Sequence, residues 1–127
     1  MISFNNVLTI HQLLVKLFGG SQGIRDSNLL DSALDRPLQT FDGKELHPTL
    51  IEKSTSLFES ILANHPFVDG NKRTGYVLMR LHLLKNGLDI NATQDEKYEF
   101  VMGVASGQTK FESIISWLEN HTGKVCD

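Results

Sequence analysis

Apolar residues recur along this chain at helical spacing, in stretches bounded by residues that start or stop helices. Ile10, Leu13, Leu14 and Leu17 give residues 9–18 one apolar face, and Gly19-Gly20 ends that run. Asp26 is placed to cap a second helix carrying Leu29, Leu30, Ala33 and Leu34. That helix should stop before Pro37, because proline restricts the residue preceding it. Regularity is lost over residues 37–47, where Pro37, Thr40, Phe41 and Gly43 read as a loop or small flap, at most a short hairpin. Pro48 suits the first turn of a third helix, whose Leu50, Ile51, Leu57, Phe58, Ile61 and Leu62 keep one apolar face up to Asn64. A fourth helix, Asn71 to Asn86, is apolar on most sides and therefore reads as the central one, with Gly87 as its left-handed stop. Thr93 with Glu96, and Thr109 with Glu112, have the spacing of capping boxes for a fifth and a sixth helix. The expected fold class is all-α: a compact six-helix bundle forming a single domain over residues 1–127.

Composition narrows the classes of function. The net charge of −3 argues against a general nucleic-acid binder, which carries a basic excess. No window approaches the roughly 18 apolar residues of a membrane span, and the first residues lack the basic start and apolar run of a signal peptide. The single cysteine, Cys126, has no partner for a disulfide, which points to a reducing, cytoplasmic setting. The distribution of charge says more than its total. Residues 71–86 hold Lys72, Arg73, Arg80 and Lys85 and no acid, a local charge of +4 in a chain that is acidic as a whole. Arg80 and Lys85 read as solvated helix residues. Lys72 and Arg73 do not, because of where they stand.

The fourth helix begins at Asn71, immediately after the loop His65-Pro66-Phe67-Val68-Asp69-Gly70. Its first backbone N–H groups lack intrahelical acceptors and point toward that loop with the positive end of the helix dipole. Two cations in the first turn oppose this dipole, so structure alone would prefer acids there. A phosphate resolves the conflict. Gly70 lets the backbone approach such a ligand, and Asn71 is placed either to cap the helix or to touch the ligand. Asp69 adds a hard oxygen suited to magnesium held by one carboxylate plus substrate phosphates. His65 can take a proton from a hydroxyl at neutral pH. Each has a plainer reading: His65 as a helix stop, Asp69-Gly70 as a turn, Asn71 as a cap. Their conjunction points to attack on a nucleotide phosphate. His11, His47, His82 and His121 have no such neighbours and read as surface or packing residues.

His65-Pro66-Phe67-Val68-Asp69-Gly70-Asn71-Lys72-Arg73 resembles the signature of the Fic/Doc family, and lysine before arginine resembles its Doc branch, the death-on-curing toxins of toxin–antitoxin pairs. The likeness extends to Gly23-Ile24-Arg25-Asp26, to Leu29 through Leu34, to Arg36-Pro37, and to Ala92 through Gly107. It implies a Fic/Doc-type bundle with His65 as general base, Asp69 as magnesium contact, and Gly70, Asn71, Lys72 and Arg73 as holders of the nucleotide phosphates. The wider Fic pattern has glycine where Lys72 stands and a second arginine where Tyr76 stands, both associated with transfer of AMP. The Doc resemblance implies instead transfer of the γ-phosphate of ATP to a threonine of elongation factor Tu, arresting translation. It also implies neutralisation by the C-terminal helix of a Phd-like antitoxin, laid into a groove near the site. Two rival readings stand beside it: Fic-type AMP transfer to a protein hydroxyl, against which Lys72 and Tyr76 speak, and a catalytically silent binding module.

Overall fold

The computed structural model describes residues 2–125 and contains six α-helices and two short antiparallel strand pairs. Cys126 therefore lies outside the described residues. Helix α1 (Phe4–Phe18) starts five residues earlier than its apolar periodicity alone suggests. Ser3 caps it by accepting from the Asn6 amide at 3.2 Å, and Val7 adds a fully buried turn to its inner face. Helix α2 (Ser27–Asp35) is capped as expected by Asp26, whose carboxylate accepts from the amides of Asn28 and Leu29. A single 3₁₀ turn, Arg36–Leu38, takes in Pro37. Strands β1 (Thr40–Phe41) and β2 (Lys44–Glu45) then form the hairpin allowed for residues 37–47. Its two-residue tip, Asp42-Gly43, has φ of 53° and 77°, the left-handed pair required by the tightest hairpin turns.

Helix α3 (Leu50–Asn64) is capped by Thr49, so Pro48 precedes the cap and does not enter the first turn. Helix α4 (Asn71–Lys85) follows after six residues and ends at Asn86, with Gly87 at φ 83°. Strand β3 (Leu88–Ile90), helix α5 (Gln94–Ala105), helix α6 (Phe111–His121) and strand β4 (Thr122–Lys124) complete the order. The Thr93–Glu96 capping box is present in both directions. The Thr109–Glu112 box is not. Lys110 is the N-cap of α6, which leaves Glu112 one residue too early to reach back, and the Thr109 amide instead closes the α5–α6 turn on the Gly103 carbonyl at 3.0 Å.

The centre of the bundle is α3 rather than α4. It packs against α2, α4, α5 and α6, and buries Leu57, Phe58, Ile61 and Leu62 together with Ser54, Thr55, Ser56 and Ser60. Those small polar side chains hide its central position in a hydrophobicity pattern, yet they let neighbouring backbones come close. Gly75 gives α4 a close approach from its own side: a Cβ there would stand 2.5 Å from a Leu62 methyl carbon and 3.2 Å from one of Ile61. Phe67, Leu78, Met79, Leu83, Ile114 and Leu118 belong to the same core. Strands β3 and β4 pair from Leu88–Lys124 to Ile90–Thr122 and fasten the C-terminal end to the turn after α4.

Candidate functional site

Helix α3 ends on His65, whose φ of 49° is left-handed, a conformation usually left to glycine at this position. The Arg25 guanidinium secures that end by donating to the carbonyls of His65 at 2.7 Å and Asn64 at 2.6 Å. A cation on the last carbonyls of a helix is electrostatically favoured. The chain then runs antiparallel to the segment joining α1 and α2: Arg25 and Asp26 donate their amides to the Pro66 carbonyl, and Val68 donates to Gly23. Phe67 is buried beneath this strip while the His65 and Asp69 side chains stay on the surface.

Asp69 is gripped from both sides. The Ser21 amide donates to Oδ2 at 3.2 Å and the Gly70 amide to Oδ1 at 2.8 Å, and these two bonds, Ser21 first, hold the carboxyl below its ordinary range. Gly20 (φ 110°) lies so close that a Cβ there would meet Oδ2 at 2.8 Å. The Asn71 amide does not cap α4. It clasps the backbone of Phe67 in both directions, each bond 3.0 Å long, and so closes the loop on itself. Gly70, at φ 78°, is the N-cap and supplies no side-chain acceptor, and the first bond inside the helix runs from the Thr74 amide to Gly70. The amides of Asn71, Lys72 and Arg73 therefore have no capping acceptor among the described residues, as an anion site at a helix N-terminus requires.

His65, Asp69, Gly70, Asn71, Lys72 and Arg73, the six residues singled out from the sequence, line one cleft of about 370 Å³ together with Val68. Arg73 rests its guanidinium 4.6 Å above the Phe18 ring, and Lys72 and Arg73 also border a second cleft, of about 320 Å³, between α4 and α5, with Tyr76, Lys97, Tyr98 and Met102. Among the described residues no cluster of His, Cys, Asp and Glu forms a protein cage for a metal. An exposed carboxylate with lone pairs to spare beside an anion cradle fits magnesium, which favours one or two carboxylates plus phosphate oxygens. His47 and His121 are half-buried and His82 is buried, as packing residues are. His11 is not remote from the site: its Nε2 lies 2.8 Å from the Asp69 carbonyl oxygen. Neither His11 nor Arg25 carries a local signal for these roles, because their partners lie 58 and 40 residues away along the chain.

Fold and cleft together define a small helical protein whose candidate site residues are gathered at one helix–loop–helix junction. The chain belongs to the Fic/DOC family, whose model matches residues 1–83 and so includes this junction. It is 38% identical over 103 residues to a protein named Toxin Doc from Mycolicibacterium smegmatis, covering 80% of this chain and 79% of that one. It is also 25% identical over 124 residues to the protein kinase doc of Escherichia phage P1, covering 98% of this chain and 97% of the phage protein.

Proposed function

We propose that this protein is the toxin of a toxin–antitoxin pair and acts in the cytoplasm as a magnesium- and ATP-dependent kinase, transferring the γ-phosphate to a threonine of elongation factor Tu and so stopping translation. One observation carries the reading: an exposed histidine, an exposed carboxylate and an uncapped, cationic helix N-terminus share a single cleft. A relative is named as a kinase, and Lys72 and Tyr76 replace the residues that the AMP-transferring pattern would place there.

His65 accepts the proton of the target hydroxyl as that oxygen bonds to the γ-phosphorus; the bond from phosphorus to the bridging oxygen breaks, and ADP leaves. The amides of α4 with Lys72 and Arg73 hold the phosphate oxygens and offset the charge that moves between them. Asp69 is the residue that would hold magnesium, which supplies charge neutralisation on the phosphates when bound. Gly70 keeps the backbone close enough for these contacts, and Asn71 fixes the loop that presents them. The β1–β2 hairpin, with Phe41 exposed on β1 beside its turn, is the flap that would align a substrate segment. The cleft between α4 and α5, with its exposed Tyr98 and Met102, and the exposed Leu13 and Leu17 of α1 offer apolar ground for the helix of a Phd-like antitoxin.

A cell-free translation extract tests this reading. The wild-type protein should arrest synthesis, and His65→Ala should be about 100- to 10,000-fold weaker while keeping the same helical content. Full arrest by His65→Ala would remove His65 from the mechanism.

A further inference from the structure

Helix α1 buries a stripe of three residues spaced four apart, Val7, His11 and Val15. Two are aliphatic, and the middle position, 2% exposed, would accept an aliphatic residue on packing grounds alone. Instead it holds an imidazole, whose burial is costly unless its polar atoms are bonded. Because a carbonyl oxygen only accepts, the 2.8 Å contact with Asp69 means that Nε2 of His11 carries the proton and donates. The same ring lies face to face with Phe67, centroids 3.8 Å apart and 7° from parallel. It also underlies Gly70, where a Cβ would come within 3.6 Å of Nε2. His11 thus touches Phe67, Asp69 and Gly70 from behind the cleft wall, without lining the cleft itself.

We propose that His11 is a positioning residue for the site, acting through the peptide unit that joins Asp69 to Gly70. That unit is anchored at both ends: its oxygen by His11, its N–H by Oδ1 of Asp69 at 2.8 Å. Turning it would pull Oδ1 from its donor, tilt the carboxylate off the Ser21 amide, and change the left-handed Gly70 from which α4 starts. One buried donor on α1 therefore sets both the direction of the carboxylate and the aim of the helix amides. The proposal rests on the reading that this cleft takes magnesium and ATP.

Two variants separate positioning from packing. His11→Phe keeps a flat ring against Phe67 and removes the donor; His11→Gln keeps an N–H donor and removes the ring. The magnesium concentration for half-maximal ATP binding, read by titration calorimetry, should rise about 10- to 100-fold in His11→Phe, the range found when residues supporting a metal ligand are lost. His11→Gln should recover a large part of that loss, and denaturation midpoints of the two variants should not follow the same order. Equal magnesium dependence in wild type and His11→Phe would overturn the proposal, as would no recovery by His11→Gln. If the wild type itself binds no magnesium–ATP, the functional reading fails, while positioning is still decided by hydrogen exchange of the Gly70 amide: faster in His11→Phe and restored in His11→Gln supports it, unchanged exchange refutes it. Should neither variant fold, nitrogen NMR of the wild-type histidines decides, since an Nε2 of His11 without a proton would contradict the donor role.

Discussion

His65 shows at the scale of one residue how a site is retained against local preference. A glycine would adopt its left-handed backbone with less strain, and a non-glycine residue there costs about 1–3 kcal/mol. In the proposed reaction the side chain is worth that cost, because the turn projects the imidazole from the end of α3 into the cleft. A different histidine is expected to make the protein sensitive to acid. His82 is buried on α4 with Nδ1 2.8 Å from the Ser54 hydroxyl, a hydrogen bond that the neutral ring satisfies in either direction. Burial holds the His82 pKa below its ordinary 6.5, so the unfolded chain takes up a proton that the folded chain refuses. Stability should therefore be intact above that ordinary value and decline as pH falls below it. Asp69, Asp89 and Glu96, held low by their hydrogen bonds, contribute only to losses in a more acidic range. Urea midpoints at about pH 7.5 and about pH 5.5 should differ less in His82→Gln than in wild type. An identical difference would shift the effect to His47, which burial moves in the same direction. At this scale His65, Asp69 and Gly70 through Arg73 were legible because they are contiguous. His11 and Arg25 were not, since a buried donor and a helix-capping guanidinium acquire meaning only through partners brought close by folding.

Elements tell a different story from their hydrophobicity. The first four helices and the sixth were visible in their apolar residues, the fifth in its Thr93–Glu96 cap, and residues 37–47 as a loop or flap that could hold a short hairpin. The errors fall where polar groups do structural work. Ser3 extends α1, Lys110 rather than Thr109 opens α6, and the serines of α3 conceal the innermost helix. The β3–β4 pair had no local signature, because its strands are three residues long and their pairing joins Leu88–Ile90 to Thr122–Lys124 across two intervening helices. The α3–α4 interface positions the site, and Gly75 is where it has least room. Gly75→Ala would gain about 1 kcal/mol in helix propensity but lose about 1–3 kcal/mol by forcing Ile61 and Leu62 outward, both of them buried. The expected outcome is a net loss in urea denaturation. A stabilised Gly75→Ala would show that Leu62 swings aside freely and that the interface is looser than its contacts indicate.

For the whole molecule, the N-terminal segment and the distant α3–α4 junction converge on one surface. Helix α1 supplies the support beneath the loop, the α1–α2 connection supplies Ser21, Gly23 and Arg25 as fasteners, and the α3–α4 junction supplies the side chains that line the cleft. The excess of positive charge in residues 71–86 gathers at this surface through Lys72 and Arg73, while Arg80 is spent on a bidentate pair with Asp89. In a molecule of net charge −3, these two cations thus share a cleft with an exposed histidine and an exposed carboxylate. That arrangement suits phosphoryl transfer, and the direction in which a nucleotide lies in the cleft decides which phosphorus the target hydroxyl reaches. The most direct test incubates the protein, magnesium and purified elongation factor Tu with ATP labelled in parallel at the γ- or the α-phosphate. Label entering the factor only from the γ position is the predicted result; label entering from the α position would contradict the kinase reading and make this protein an AMP transferase.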